Sequence, residues 1–297
     1  MKIVHIGLPK CASSALQTNV FSQLSNHKYV GPAHLSNVSG EIKIKDPDAY
    51  TRLHDSIVSA VCSENEPAGR LINQDIKALL FKETDFVFTS EWITGIRYSP
   101  SAYRQNIDRL AKLIGKNCIA VLVVRPHLEL IVSMYRDNPT SLLTKEPCNT
   151  FEDFYFHFVR TVRNASSIYE EIYSACASRF QDVIVLNVAE LSEEKTLVEF
   201  YKLIGERMSA DLNRKENSGI SKSQFVYMHV VRRFKFLTGF LPQKVLVTVH
   251  HFLMMVLASS RKYDVKVSQA VKKDSSIRFE NDWQFILATF TKWSGNN

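Results

Sequence analysis

The sequence predicts an α/β protein of three layers, with a central, mainly parallel sheet between helices and further helices towards the C-terminus. Short apolar runs alternate with helical patterns over the first two thirds of the chain. Most of these runs lack the polar–apolar alternation of a half-exposed strand, which indicates strands covered on both faces, as in a parallel sheet. Alternating strands and helices indicate βαβ units.

The predicted elements follow in chain order. Strands are expected at residues 3–6, 86–89, 119–124 and 183–188. Helices are expected at residues 13–24, 47–62, 101–114, 128–135, 151–177, 195–204, 223–236, 243–259 and 277–293. We therefore expect a single domain over residues 1–297, with an α/β core at 1–210 and a helical C-terminal extension at 211–297.

The charge of the chain is concentrated near its C-terminal end. The net charge is +7, yet residues 213–278 hold thirteen Lys or Arg against three acidic residues. Such a stretch favours an anionic partner, namely a glycan, a lipid or a phosphorylated nucleotide, and a solvated lysine-rich face is the alternative. It lacks a recognisable nucleic-acid motif, so no nucleic-acid partner is predicted.

Cysteine spacing and the N-terminal sequence predict a cytoplasmic protein. None of the five cysteines forms a CxxC pair, which argues against a zinc site and a disulfide framework. The N-terminus lacks the pattern of a signal peptide. Residues 240–257 are the most membrane-like segment, but they include Pro, Gln, Lys and two His. We expect a helix buried in protein there, and peripheral association with the inner face of a membrane is the alternative.

Residues 3–17, IVHIGLPKCASSALQ, predict a phosphate-binding loop between a strand and a helix. Lys10 adds a positive charge at the turn, and Ser13 and Ser14 add hydroxyl donors in the first helical turn. A P-loop NTPase requires GxxxxGK[ST], whereas here Lys10 comes three residues after Gly7, no glycine directly precedes it, and Cys11 follows it. We therefore expect phosphate binding without an obligatory metal, and an incidental lysine is the alternative.

Residues 119–137, IAVLVVRPHLELIVSMYRD, predict a second anion site. Arg125 follows a buried strand at its carboxyl end, where open α/β sheets bind ligands. Ser133 lies eight residues further on, roughly two turns into the next helix. An arginine fork pairs with two phosphate oxygens, so Arg125 and Ser133 can meet on one phosphate. An arginine paired with a carboxylate is the alternative.

The first motif resembles the 5′-phosphosulfate loop of the sulfotransferases that use 3′-phosphoadenosine-5′-phosphosulfate (PAPS), which reads Pro-Lys-(Ser/Thr)-Gly-(Ser/Thr)-(Ser/Thr). The matching residues are Pro9, Lys10, Ser13 and Ser14. Cys11 replaces Ser or Thr and Ala12 replaces Gly, and the resemblance implies that residues 10–14 bind the donor. Because alanine takes a positive φ only at a cost, we expect Ala12 in a helical or bridge conformation.

The second motif resembles the 3′-phosphate segment of the same family, in which Arg-Pro after a strand is followed by Ser-x-Tyr. The resemblance gives Arg125 and Ser133 the 3′-phosphate role, and Tyr135 is expected to pack. A late basic loop closes over this phosphate in the family, which gives the role to Arg214 or Lys215. An exposed polar connector is the alternative.

The resemblance covers roughly residues 1–205 and implies a P-loop-like fold and a reaction. The reaction is transfer of a sulfuryl group from PAPS to a hydroxyl of a carbohydrate or glycolipid acceptor, with adenosine 3′,5′-bisphosphate as product and no metal. Lys10 would stabilise charge on the bridging oxygen. Two alternatives remain: a P-loop-like kinase, and a non-catalytic glycan- or membrane-binding module that uses Arg232, Arg233 and Lys235.

Sulfuryl transfer also needs a base for the acceptor hydroxyl. Glu91 follows the strand at 86–89, at the sheet edge of the two phosphate motifs, and glycan-modifying members of the family often carry Ser-Glu there. We favour Glu91, and a surface carboxylate that caps the next helix is the alternative. The other candidates are His5, expected to be a satisfied core histidine, His54 and His127.

Overall fold

The computed structural model describes residues 1–32, 47–62, 85–94, 102–137, 148, 150–162, 164–206 and 264–293. The chain divides into two compact units. The first comprises Met1–Pro126, Val162–Glu216 and Phe279–Asn297, and the second comprises His127–Thr161 and Asn217–Arg278. The helices predicted at 223–236 and 243–259 lie outside the described residues. The division at residue 210 stays a prediction.

The first unit is built on a five-stranded parallel sheet. Its strands are β1 (Lys2–Gly7), β2 (Lys28–Val30), β3 (Phe86–Ser90), β4 (Cys118–Val124) and β5 (Asp182–Asn187). Their order is β2-β3-β1-β4-β5, and every neighbouring pair is parallel. The α/β class and its parallel sheet are confirmed. The four predicted strands agree with β1, β3, β4 and β5 to within one residue at each end.

The helices are α1 (Ser13–Asn19), α2 (Pro47–Cys62), α3 (Tyr103–Ile114), α4 (His127–Asp137), α5 (Phe151–Thr161), α6 (Ile168–Ala177), α7 (Glu194–Leu203), α8 (Gln269–Arg278) and α9 (Glu280–Trp293). The single helix predicted at 151–177 is wrong. Asn164 takes a left-handed φ of 58°, which a right-handed helix cannot continue, and the 3₁₀ turn Ala165–Ser167 separates α5 from α6.

Two other predicted helices have different bounds. The helix predicted at 13–24 ends at Asn19, and a 3₁₀ turn, Phe21–Gln23, follows it. The helix predicted at 277–293 is α9, which begins at Glu280. It is preceded by α8, which was not predicted because its mean hydropathy is low and its apolar periodicity weak.

Helical segments cover both faces of the sheet in the first unit, with the 3₁₀ turn Phe21–Gln23 on one face and α2 on the other. His5 and Thr89 are register partners and therefore share a face, where the ring of Phe21 lies 5.1 Å from the ring of His5. Phe88, the neighbour of Thr89, points to the opposite face, where the ring of His54 in α2 stacks on it at 5.7 Å. This unit therefore has the predicted three layers.

In the second unit, the described helices α4, α5 and α8 pack together. The ring of Tyr135 lies 5.5 Å from that of Phe151 and 5.3 Å from that of Phe154. The hydroxyl of Tyr155 donates to Asp274 at 2.8 Å and links α5 to α8. Tyr135 is thus a packing residue, as expected.

Glu206 connects the end of α7 to the loop before β2. Its carboxylate accepts bonds from the hydroxyl of Ser25 at 2.9 Å and the backbone N–H of Asn26 at 2.8 Å, and it lies 2.7 Å from Nδ1 of His27. Burial raises the pKa of Glu206, but these bonds lower it by more, so the pKa lies below its usual value.

We expect Glu206→Gln to weaken the pH dependence of stability. A lowered folded-state pKa stabilises the protein above the unfolded value of about 4.3, and the contribution is lost as pH falls through the folded-state pKa. Urea unfolding at neutral pH and at about pH 3.5 measures the difference, which should shrink in Glu206→Gln. The control is Glu193→Gln at an exposed position. An equal pH dependence in both variants would contradict this role.

Candidate functional site

Three strand ends meet at one edge of the sheet in the first unit. The register pairs Gly7 of β1 with Val123 of β4 and the preceding residue with the last residue of β3. Glu91 therefore follows β3 at the level of Gly7, and Arg125 follows β4 just beyond. With strands spaced at about 4.8 Å, the backbones of Glu91 and Arg125 flank the end of β1 at about 10 Å from each other. From β1 the strand order continues to β3 and β2 on one side and to β4 and β5 on the other. Parallel α/β sheets bind ligands at the carboxyl ends of the strands at such a switch point.

The loop from β1 to α1 has an unusual backbone. Lys10 and Ala12 both take left-handed conformations, with φ of 69° and 55°. Cys11 lies between them, and its N–H donates to the carbonyl of Leu8 at 3.2 Å. The expectation that Ala12 is helical or bridge-like is wrong, because the chain reverses from strand to helix within a few residues and needs a left-handed step at the residue that precedes α1. Such a step costs alanine about 1–2 kcal/mol.

Gly7 lies against two buried polar side chains. A Cβ at this position would be 2.5 Å from Oγ of Ser13 and 3.2 Å from Nε2 of His5, so only glycine fits without movement. Neither of these two atoms has a hydrogen-bond partner among the described residues. Nδ1 of His5 lies 2.8 Å from the hydroxyl of Thr89, and burial lowers the pKa of His5 to about 3. His5 is therefore a neutral core histidine with one ring nitrogen bonded.

The pKa of the Cys11 thiol depends on its burial and on the charges of the residues that follow the two flanking strands. Burial raises the pKa of its thiol to about 12, the positive charge of Arg125 lowers it, and the negative charge of Glu91 raises it. The strand register places this loop, Glu91 and Arg125 at the same edge of the sheet. Because the Cys11 side chain is fully buried, the residue can offer a ligand only its backbone.

Arg125 has unused hydrogen-bonding capacity. Its Nε is buried and has no hydrogen-bond acceptor among the described residues. Within the same residues its guanidinium forms no ion pair, so the alternative of a carboxylate partner gains no support. An unpartnered buried donor is costly, and a bound anion would remove that cost.

The turn after β3 fixes the backbone of Glu91. The buried Oγ of Ser90 accepts the N–H of Trp92 at 3.2 Å. The hydroxyl of Thr94 lies 3.0 Å from the carbonyl of Glu91 and 3.4 Å from that of Gly7, which joins the turn to the end of β1. Glu91 is half-buried, and Trp92 beside it is 37% exposed.

The structure gives less information about the four other residues that were predicted to bind phosphate. Ser14 is half-buried in the first turn of α1. Ser133 is half-buried on α4 and belongs to the second unit. Arg214 and Lys215 lie outside the described residues. The phosphate-binding roles of all four stay predictions.

The two other candidate histidines occupy different places. His54 lies on a face of the sheet, where it stacks on Phe88, and its Nδ1 lies 2.9 Å from the carboxylate of Asp55. His127 is buried in the first turn of α4, in the second unit. Of the candidate bases in the first unit, Glu91 is the one at the carboxyl edge of the sheet.

The described part of the chain indicates neither a metal site nor a membrane-spanning helix. No three His, Cys, Asp or Glu side chains there are grouped as metal ligands would be. Within those same residues, no helix combines the length and the apolar character needed to cross a bilayer. The segment 240–257 lies outside them.

Tyr169, which is fully buried in α6, was not predicted from the sequence. Its hydroxyl donates to the carbonyl of Arg125 at 2.5 Å and accepts the N–H of Arg125 at 3.3 Å. The two residues are 44 positions apart, and a tyrosine among apolar helix residues is typical of a core. No sequence pattern distinguishes this tyrosine from a packing residue.

Comparisons with known proteins add little to this site. No family model matches the chain, and no curated protein matches it. The chain is similar to a solved structure of retinol dehydratase in complex with androsterone and the inactive cofactor PAP, at 14% identity and a TM-score of 0.37. The match covers 96% of this chain and 80% of that one. A TM-score this low does not establish a shared function, so the function is inferred from the site itself.

Proposed function

We propose that this chain is a sulfotransferase that moves a sulfuryl group from PAPS to a hydroxyl of a carbohydrate or glycolipid acceptor. The observation that carries the proposal is the convergence of the Lys10 loop, Glu91 and Arg125 at the carboxyl edge of the sheet. Lys10 and Arg125 can each bind one phosphate end of such a nucleotide, and the Glu91 carboxylate can act as a base beside them.

Each residue has a defined task in this reaction. The acceptor oxygen forms a bond to sulfur as the bond between sulfur and the bridging oxygen breaks. Glu91 takes up the proton of the acceptor hydroxyl, and Lys10 stabilises the charge that develops on the bridging oxygen. Arg125 holds the 3′-phosphate, and adenosine 3′,5′-bisphosphate leaves.

The acceptor class rests on fewer residues. The Ser90–Glu91 step resembles that of glycan-modifying sulfotransferases, and the basic stretch at 213–278 suits an anionic glycan or a lipid surface. Trp92 exposes part of a flat apolar ring next to Glu91, against which the C–H face of a sugar can pack. A cytoplasmic location, with peripheral membrane association, belongs to the same proposal.

Arg125→Ala is expected to weaken binding of adenosine 3′,5′-bisphosphate by roughly 10- to 100-fold, since hydrogen bonds to a charged group are lost. The affinity for adenosine 5′-phosphate should stay the same. Arg125→Lys should restore little, because an ammonium cannot reproduce the two-pronged geometry. Titration calorimetry measures both ligands, and Arg104→Ala, at a 64% exposed side chain, is the control. Undiminished binding of the bisphosphate would contradict the 3′-phosphate role.

A thermal-shift comparison separates the proposal from a kinase. A ligand that binds only the folded state raises the melting temperature, to an extent that depends on its concentration relative to Kd. Adenosine 3′,5′-bisphosphate should stabilise the protein in the presence of EDTA. Stabilisation by ATP–Mg²⁺ alone would reject the sulfotransferase, and a response to neither nucleotide would favour a non-catalytic module.

A further inference from the structure

We propose that Thr89 is a positioning residue that holds both ends of the β1–α1 loop, residues 8–12, and thereby preorganises the subsite for the 5′-phosphate of the nucleotide. The inference rests on the proposed function and adds to it a residue inside β3. Thr89 has no exposed surface, so it acts through its neighbours and not by contact with the ligand.

The hydroxyl of Thr89 joins the strand before the loop to the helix after it. Its oxygen accepts the amide N–H of Gln17 at 2.9 Å and lies 2.8 Å from Nδ1 of His5. His5 belongs to β1, from which the chain enters the loop, and Gln17 belongs to α1, which the loop leads into. The three side chains are at most 3% exposed. One buried oxygen on β3 therefore bonds to residues on both sides of the loop.

The protonation state of His5 is compatible with this network. Burial lowers the pKa of His5 to about 3, so the ring is neutral near pH 7. A threonine hydroxyl has two lone pairs and one hydrogen. It can therefore accept from Gln17 and also bond Nδ1 of His5, whichever ring nitrogen carries the hydrogen. The network is uncharged and needs no counter-charge in the core.

The loop between these two ends has a backbone that needs support. Lys10 and Ala12 have φ of 69° and 55°, which is unfavourable for residues with a Cβ. Such conformations persist only where the surrounding structure over-determines them. The N–H of Cys11 bonds the carbonyl of Leu8 inside the loop, and the Thr89 bonds restrain the loop from outside. A loop held in shape before the ligand arrives avoids the cost of ordering it on binding.

Tight packing at Gly7 connects the network to the loop. A Cβ on Gly7 would be 2.5 Å from Oγ of Ser13 and 3.0 Å from Cε1 of His5. The end of β1, the start of α1 and the His5 ring therefore touch, and there is no space between them to absorb a shift. A displacement of α1 or of His5 would consequently move the ends of the loop that carries Lys10.

The test compares adenosine 5′-phosphate with adenosine 3′-phosphate by titration calorimetry. Thr89→Val removes both bonds and keeps the branched shape of the side chain. We expect Kd for the 5′-phosphate to rise by about tenfold, the scale of losing one or two hydrogen bonds. Kd for the 3′-phosphate should stay the same, because Arg125 follows β4 and the Thr89 bonds involve only β1, β3 and α1. Thr89→Ser keeps the hydroxyl and should restore the wild-type Kd.

The matched control is Tyr201→Phe in α7. It also removes a buried hydroxyl from the first unit, but one without a hydrogen-bond partner among the described residues. Both Kd values should stay at the wild-type level in this variant. A merely structural role of Thr89 would lower the melting temperature of Thr89→Val and either leave both Kd values unchanged or raise both equally.

A second variant isolates the bond to α1. Gln17→Met keeps the length of the side chain and leaves the His5–Thr89 pair in place, so it tests the same link if Thr89→Val does not fold. Its Kd for adenosine 5′-phosphate should rise by less than that of Thr89→Val. The double variant should bind no more weakly than Thr89→Val alone, because the shared bond is already absent. Fully additive losses would overturn the link.

The outcomes separate the two proposals. If the wild type binds both adenosine monophosphates, and Thr89→Val and Gln17→Met show no selective loss for the 5′-phosphate, the positioning role is overturned and the proposed function stands. If the wild type binds neither monophosphate nor adenosine 3′,5′-bisphosphate, the proposed function fails, and the positioning role fails with it.

Discussion

Replacing Glu91 with glutamine is expected to reduce sulfuryl transfer by roughly 10²- to 10⁴-fold, the usual contribution of a general base. Glutamine has nearly the same shape as glutamate but cannot take up the proton of the acceptor hydroxyl. The turn that carries Glu91 is held through Ser90 and Thr94, which bond backbone atoms, so the substitution should leave the backbone in place. The measurement is kcat at saturating donor and acceptor.

Donor binding provides the internal check on Glu91→Gln. The Kd for adenosine 3′,5′-bisphosphate should not rise, because the carboxylate contributes no attraction for phosphate. The control is Glu194→Gln, at an exposed position in the first turn of α7. Full turnover in Glu91→Gln would exclude Glu91 as the base, and weakened donor binding with unchanged kcat would assign it to binding.

Lys10→Ala is expected to lower kcat by roughly 10²- to 10³-fold, the usual loss when one preorganised group is removed from a developing negative charge. The left-handed backbone at Lys10 and Ala12 places the half-exposed lysine beside the buried Cys11, at the edge shared with Glu91 and Arg125. Single-turnover transfer at saturating donor isolates this step from donor binding.

The control for Lys10→Ala is Lys112→Ala. Lys112 lies on α3 with a side chain that is 76% exposed, and it pairs with Asp108 at 2.6 Å. Surface ion pairs contribute about 0–1 kcal/mol, so this variant should keep its turnover. Retained full activity in Lys10→Ala would reject the proposed mechanism, whereas equal losses in both variants would point to general instability.

Much of the fold could be predicted because buried parallel strands have a clear sequence pattern. Apolar runs located β1, β3, β4 and β5, and α2 was predicted with its observed bounds. The strand β2 was missed because Lys28–Val30 is only three residues long. The break at Asn164 was missed because a single left-handed residue leaves the apolar periodicity of its neighbours unchanged.

The candidate site was predictable where chemistry follows directly from a strand. Lys10, Glu91 and Arg125 each come shortly after a predicted strand, and parallel strands bring their carboxyl ends to one edge. Tyr169 was not predictable, because its bonds to residues distant in sequence leave no periodic trace. For Ala12, the local preference against positive φ was overridden by the turn that the tertiary structure imposes.

The most direct test of the central claim is transfer from PAPS labelled in its sulfuryl group. The wild-type chain is incubated in EDTA with this donor and a panel of carbohydrate and glycolipid acceptors, and label in the acceptors is compared with the bisphosphate formed. The account predicts labelled acceptor and bisphosphate in equal amounts, with both lost in Glu91→Gln. An intact donor, with no label in any acceptor, would contradict it.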